Sequence, residues 1–226
     1  MNIICRVLLF ALALLTTQVK ASYILLLGDD YSETIIAPYL TNNGHQVTID
    51  GIYYEWDGDI PSETEVIIYL NGYEYGYDLG EYGDALAANN AILDFVAGGG
   101  GLIFTEWYAY DEKTEPVDAL MPVTYNGDYY YQASWYVSAG QHNHFLLEDL
   151  LSTEFVEGDG SEDTYSDVVP RSGTHVVMDD GNGIPLLSYT DQHGGKVIHI
   201  NDGMSYDDEI SNEILSIINR SVMYAA

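Results

Sequence analysis

The chain has 226 residues, 47% of them hydrophobic, and carries 36 Asp and Glu against 6 Lys and Arg, a formal charge of −30. That balance excludes a nucleic-acid partner, because phosphates need a basic footprint, and it disfavours anionic membrane surfaces. The apolar fraction is too high for a disordered acidic tail, so the chain is expected to fold with most of its acids as a solvated coat.

The first 21 residues read as a signal peptide. Arg6 supplies a positive start, Val7 to Leu15 an apolar core, and Val19-Lys20-Ala21 the small residues at the −3 and −1 positions of a cleavage site before Ser22. This core is much shorter than the roughly 20 apolar residues needed to span a bilayer. Cleavage near Ala21-Ser22 predicts a secreted or periplasmic protein with no membrane attachment. Residues 22–226 are long enough for one domain with a full core. Losing Arg6 and Lys20 takes the charge from −30 to −32. Losing Cys5 removes the one cysteine, which excludes disulfides, zinc–thiolate sites and cysteine nucleophiles from the mature chain.

Tyr23 to Leu27 reads as a buried first strand ended by Gly28-Asp29-Asp30. Asp30 and Glu33 have capping-box spacing for a helix carrying Ile35, Ile36, Tyr39 and Leu40, in which Pro38 sits awkwardly. Asn43-Gly44 stops that helix, Gln46 to Ile49 alternates as a second strand, and Glu65 to Leu70 reads as a third. Ala85, Ala88, Ile92, Phe95 and Val96 share a helical face. Gly98 to Gly101 end that helix, and Leu102 to Thr105 is a short apolar strand. Residues 108–173 break this rhythm with a tyrosine-rich insertion and a short helix expected at Leu146 to Leu151. Strands then return at Thr174 to Met178, Pro185 to Tyr189 and Lys196 to Ile200. A last helix carries Ile210, Ile214, Ile217, Ile218 and Val222, with Ser205 and Asp208 at capping-box spacing. The order predicts an α/β fold: a doubly wound, mostly parallel sheet with helices on both faces and an antiparallel edge hairpin.

Several pieces, in this order, resemble the class I glutamine amidotransferase-like superfamily, and more closely its ThuA-like branch. They are Ile24 to Gly28, Asn43-Gly-His-Gln-Val-Thr48, Glu65 to Gly72, Ala91 to Trp107, and Pro185 to Gly203 with the terminal helix. Gln141 to Leu150 is similar to a His-Pro-Leu/Ile segment of that branch, with Phe145 in place of the proline. The resemblance implies a flavodoxin-like fold. It also implies where a Cys-His-Glu triad would stand. The cysteine would fall near Thr105 to Trp107, where there is none, and the His-x-Glu pair just after Ile200, where the chain reads Asn201-Asp202-Gly203-Met204. Glutaminase activity is therefore not expected, and the chain reads as a degenerate, non-catalytic member.

Ligands of open parallel sheets bind beyond the carboxyl ends of the strands. Those ends place Asp29, Asp30, Tyr73, Glu74, Glu106, Trp107 and Asp202 as candidate ligand-binding residues, with His144 added from the family-like segment. The candidates include five acids and no Lys or Arg, so a nucleotide or flavin phosphate would be repelled, and no organic cofactor is expected. Carboxylates admit a divalent cation such as calcium or magnesium, with Glu106, His142, His144 and Asp202 as candidate ligands. Tyr73 and Trp107 offer faces to a sugar. Against this, acids at helix starts are expected as caps, and loop histidines as hydrogen-bonding residues. The 21 tyrosines crowd loops 73–82 and 108–136, which suits recognition of a glycan or protein partner as well as the two faces of small β elements. The leading reading is an exported binding domain. The alternatives are a secreted metal-assisted hydrolase acting on carbohydrate through Glu106, His144 and Asp202, and a structural envelope module.

The charge itself makes a testable statement. The Debye length falls from about 30 Å at 0.01 M salt to about 8 Å at 0.15 M, so sodium chloride is expected to raise the unfolding temperature by relieving self-repulsion. A calcium site would add stabilisation beyond sodium at matched ionic strength. Equal thermal midpoints in the two salts remove a specific cation site.

Overall fold

A computed structural model of the protein describes residues 21–110, 115–131, 134–147, 154–156, 164–203 and 210–226. Nearly all of the expected signal peptide, Lys113, the acidic loop at 158–163, and Ser205 with Asp208 lie outside the described residues. In chain order the elements are β1 (Tyr23–Gly28), α1 (Glu33–Asn42), β2 (Gln46–Ile52), β3 (Val66–Tyr69), α2 (Ala85–Ala97), β4 (Gly101–Thr105) and α3 (Glu106–Tyr110). There follow β5 (Val123–Tyr131), β6 (Ser134–Val137), β7 (Glu154–Val156), β8 (Thr164–Pro170), β9 (His175–Asp179), β10 (Pro185–Thr190), β11 (Val197–Ile200) and α4 (Asn212–Ala225). Short 3-10 turns stand at Tyr53–Glu55, Pro116–Leu120 and Phe145–Leu147. No helix among the described residues is long and apolar enough to cross a membrane.

The main sheet runs β2-β1-β3-β4-β11-β10-β9-β6-β7. The first five strands are mutually parallel, in the flavodoxin-like order. From β11 onward every pairing is antiparallel. The expected hairpin at that edge is β10–β11, and the sheet continues past it through β9, β6 and β7. A separate antiparallel ribbon joins β5 to β8. The segment 108–173 thus divides its strands between an extension of the sheet and a ribbon that packs on α3.

Alternation along each strand sends its side chains to two cores. Ile24 and Leu26 of β1 join Ile36 and Leu40 of α1 and Ile214, Ile218 and Val222 of α4. Leu25 and Leu27 join Ala88, Ile92 and Val96 of α2 on the other face. Burial on both faces is why these strands read as unbroken apolar runs in the sequence.

Two helix starts differ from expectation. Ser32 stands at the N-cap of α1 without a side-chain cap, and the turn before it is held by Asp29 rather than Asp30: Asp29 Oδ1 accepts the Ser32 N–H at 2.7 Å, while Glu33 Oε2 accepts the Asp29 N–H at 3.1 Å. Asp30 instead takes a left-handed backbone, φ 73°. Helix α4 begins at Asn212, with Ser211 Oγ accepting the Ile214 N–H at 3.1 Å. Ile210 precedes that helix but is still buried.

Three of the four glycines at 98–101 have separate reasons. Gly99 has φ 101°, Gly100 lies beneath the Phe95 ring, and a Cβ on Gly101 would come 2.6 Å from the Ala225 Cβ and 2.8 Å from its carbonyl oxygen. The end of α4 therefore rests directly on the start of β4. Gly101→Ala is expected to lower stability by about 1–3 kcal/mol, the usual cost of overpacking, read as a lower urea midpoint. An unchanged midpoint would show that this contact yields freely.

Candidate functional site

Asp29, at the end of β1, is fully buried. Its Oδ1 accepts the N–H groups of Tyr31 at 3.1 Å and Ser32 at 2.7 Å. Its Oδ2 accepts Ser32 Oγ–H at 2.8 Å, the Gly72 N–H at 3.0 Å and the Tyr73 N–H at 2.8 Å. One carboxylate thus clamps the loop after β1 to the loop after β3. Asp29 was expected among the ligand-binding acids, but its lone pairs are taken up by these five donors, and its part is structural. Beside it, burial raises the pKa of Glu33, and the Asp29 charge adds to that.

The clamp sets out a row of tyrosines. Tyr73 is half-exposed, with its ring centroid 5.3 Å from that of Tyr31. Glu74 N–H donates to the Asp29 carbonyl. Further along, Gly80 and Tyr82 N–H groups donate to the carbonyls of Tyr53 and Tyr54, binding the loop to the turn after β2. Tyr54 packs at 4.6 Å on Tyr77 and 5.7 Å on Tyr82. Burial raises the Tyr54 hydroxyl pKa, and the charges of Glu74, Asp30 and Glu55 raise it further, which places those acids around it. Next to this cluster an open cup of about 590 Å³ is lined by Glu55, Asp57, Tyr82, Gly83 and Asp84. Tyr82 is 64% exposed at its rim.

The remaining candidates are spread through the fold. Glu106 and Trp107 open α3 directly after β4; their side chains lie outside the described residues. Asp202 is buried just beyond β11. Asn201, in the stretch just after Ile200 where the resemblance would place the His-x-Glu pair, spends its side chain on backbone. Its Oδ1 accepts the Ser166 N–H at 3.0 Å, and its Nδ2 donates to the carbonyls of Ser166 and Pro185, each at 2.9 Å.

His142 is exposed on a turn. His144 packs 5.3 Å from both Tyr189 and Tyr224. Tyr224 adjoins Ala225, which abuts Gly101 at the start of β4, so His144 stands at the amino end of the parallel strands. The expected set of Glu106, His144 and Asp202 is therefore not assembled, because His144 is at the opposite end of the sheet. His199 does not complete it either. It is wholly buried in β11, and burial depresses its pKa to about 3, leaving it neutral. Among the described residues no group of three or more His, Cys, Asp and Glu could hold a metal ion.

A further cluster forms around Glu115. Glu115 Oε1 accepts the Leu79 N–H at 3.1 Å, tethering the tyrosine loop to the segment after α3. Glu115 N–H donates to Asp118 Oδ2 at 2.9 Å, and Tyr108 donates its hydroxyl to Asp118 Oδ1. Burial pushes the Glu115 pKa up to about 7, with the charges of Asp78 and Asp118 adding to it. Its Asp118 partner three residues later closes a capping box on the Pro116–Leu120 turn, a local spacing, but the Leu79 partner lies 36 residues earlier, and no local pattern marks that tether.

No family model matches the sequence, and no curated protein matches it. Solved structures do match the fold. A cytoplasmic protein from Salmonella typhimurium, STM3548, superposes with a TM-score of 0.65 at 15% identity, over 90% of this chain and 98% of its own. A ThuA-like protein from Bacteroides uniformis gives 0.63 at 15% identity, over 89% and 91%. A β-galactosidase from Bacillus circulans sp. alkalophilus gives 0.60 at 12% identity, over 90% of this chain but 30% of its own. At such identities the likeness shows the fold alone: the chain has the flavodoxin-like fold of ThuA-like proteins.

Glu115 gives a pH dependence with a definite sign. A carboxyl held near 7 in the fold, against its ordinary 4.5, binds its proton more tightly folded than unfolded. Its contribution is most favourable below about pH 4.5 and is lost as pH rises through 7. Glu115→Gln keeps an acceptor for Leu79 and cannot ionise. It is expected to stabilise by about 1 kcal/mol at pH 8, allowing for solvent on the open side, and by little at pH 4.5. Urea unfolding at both pH values measures this; equal shifts at both would remove ionisation as the cause.

Proposed function

We propose that this protein is an exported, non-catalytic domain of amidotransferase-like architecture that binds a neutral glycan on its acidic, tyrosine-rich strand-end face. The observation that carries the reading is how the polar groups at the strand ends are used. Asn201 and Asp29, which stand where such folds place their chemistry, are committed to backbone donors and acceptors. The groups turned outward at the same end are tyrosine rings and carboxylates.

Those two groups suit a hydroxyl-rich ligand. Tyrosine faces stack on the C–H surface of a pyranose ring, and carboxylates accept its hydroxyl protons. No Lys or Arg lines the cup among the described residues, which counts against a phosphorylated or acidic sugar. A β-galactosidase among the fold neighbours is named for a carbohydrate substrate, which agrees with the reading; the tyrosine–acid chemistry is what supports it. Export through residues 1–21 belongs to the same proposal. It places the acidic coat outside the cytoplasm and predicts a mature chain beginning at Ser22.

The test is titration calorimetry of the exported chain, its start read by N-terminal sequencing, against a panel of neutral oligosaccharides. Tyr82→Ala is expected to weaken binding roughly five- to tenfold, the order of one lost aromatic contact of about 1 kcal/mol. Absence of binding by any neutral oligosaccharide at millimolar concentration would leave a protein-binding or structural module in its place. An intact Met1 on exported protein would overturn the leader reading separately.

A further inference from the structure

β2 forms one edge of the main sheet and, among the described residues, pairs with β1 alone. Its Gln46 N–H donates to the Ser22 carbonyl across that pair. Alternate residues of a strand serve its two sides. Gln46 and Thr48 therefore face β1, while Val47 and Ile49 turn their N–H and C=O groups outward. Edge strands are commonly blunted by a lysine, a proline or a bulge. β2 reads Gln46-Val-Thr-Ile-Asp-Gly-Ile52, with no Lys or Pro, and its ladder is regular through Ile49.

Side chains alternate as well. Val47 packs on the core under α1, and Ile49, 48% exposed, stands on the same face. With Ala37, Pro38 and Thr41 of α1 they line a groove of about 450 Å³ between that helix and the open edge. The acid of this groove, Glu33, accepts the Asp29 N–H. Gln46, Thr48 and Asp50 belong to the other face and are exposed. Asp50 Oδ2 accepts the Trp56 Nε1–H at 3.1 Å.

Charge decides what such an edge can meet. Thr34 to Ile49 contains no Asp, Glu, Lys or Arg, in a chain with 36 acids in 226 residues. A neutral stretch has little to attract a charged partner. It does let two copies of a −30 chain meet without setting acid on acid. The strand is also complementary to itself. A two-fold axis at Thr48 sets Val47 opposite Ile49 of the second copy, and Ile49 opposite its Val47. These are the outward-facing residues, so they form the hydrogen-bonded pairs of an antiparallel ladder, and Thr48 meets Thr48 in the closer, non-hydrogen-bonded pair. Asp50 falls opposite Gln46, so no two carboxylates oppose each other.

We propose that β2 pairs antiparallel with β2 of a second copy about a two-fold axis at Thr48, closing an isologous dimer. The two main sheets run on into each other. The grooves bring Val47 and Ile49 of both copies together, and the tyrosine-rich strand ends lie at opposite ends of the joined sheet. The dimer does not depend on glycan binding. Net charge opposes it, whereas the backbone ladder and the apolar contact are not screened. It therefore strengthens from 0.01 M salt, where the Debye length is about 30 Å, to 1 M, where it is about 3 Å.

Sedimentation velocity across that salt range is expected to show a monomer–dimer equilibrium roughly tenfold tighter at the upper end than at the lower. Ile49→Lys puts a charge on the edge and is expected to weaken the dimer roughly tenfold or more. If it lowers the thermal midpoint, Thr48→Glu tests the same edge by setting carboxylate opposite carboxylate on the axis. Cross-linking reads the register. In a Cys5→Ser background Thr48→Cys carries the one thiol of the chain. The non-hydrogen-bonded pair sets its Cα about 4.5 Å from that of the second copy, within disulfide reach. Mild oxidation is expected to link Thr48→Cys to itself, and Gln46→Cys to Asp50→Cys when the two are mixed but neither to itself. A monomer at every salt up to millimolar protein would overturn the proposal. So would a dimer that Thr48→Cys fails to link, that survives both edge variants, or that weakens as salt rises.

Discussion

Burial of the parallel strands on both faces governs much of what this protein can do. β1, β3, β4 and β11 send apolar side chains alternately into two cores, one under α1 and α4 and one under α2. Such a sheet has little room for chemistry along its length. His199 shows the consequence: carried into the middle of β11, it is held neutral by burial alone. Polar function is displaced to the strand ends, where the backbone leaves the sheet and its N–H and C=O groups need partners. Asp29 and Asn201 meet that need, one by gathering five donors, the other by joining β8, β10 and the end of β11.

Because those groups are occupied, the outward chemistry of the strand-end face passes to the loops they hold. The clamp at Asp29 fixes Gly72 and Tyr73, and backbone bonds to Tyr53 and Tyr54 fix the far side of the same loop. Glu115 holds its middle at Leu79. The tyrosines are thus presented on a loop anchored at three places, a rigid aromatic surface whose polar tips sit among carboxylates. The proposed recognition would draw on such a surface with little loss of side-chain entropy.

The acids are numerous enough that position, not count, distinguishes them. Of those whose side chains are described, about half are exposed. Some of the buried and half-buried ones lie where segments cross: Asp29 between β1 and β3, and Glu115 and Asp118 between the tyrosine loop, α2 and α3. The scarce cations show the same selectivity. Arg171 ties the β5–β8 ribbon to the turn before it, and Lys196 and Arg220 lie over aromatic rings at the amino pole.

The sequence by itself determined the order of strands and helices, the parallel core and the two-faced burial, since apolar runs of strand length bounded by glycine, and amphipathic helical spacing, are local signals. It also fixed the extreme charge and the lack of a cysteine at the turn after β4. It named Asp29, Tyr73 and Glu74 as strand-end residues, because strand ends follow from strands. Only the tertiary structure decided what they do there. Asp29 and Asp30 are indistinguishable in sequence, yet one is the buried clamp and the other a left-handed exposed residue, because the donors come from residues 72 and 73. Tyr54 and Tyr82, Glu115 with Leu79, and His144 with Tyr224 are pairs whose meaning arises from contacts between distant segments. No periodicity records such contacts. The placement of β6 and β7 beyond β9 was hidden for the same reason: strand pairing depends on which edge remains open once the rest of the sheet has formed.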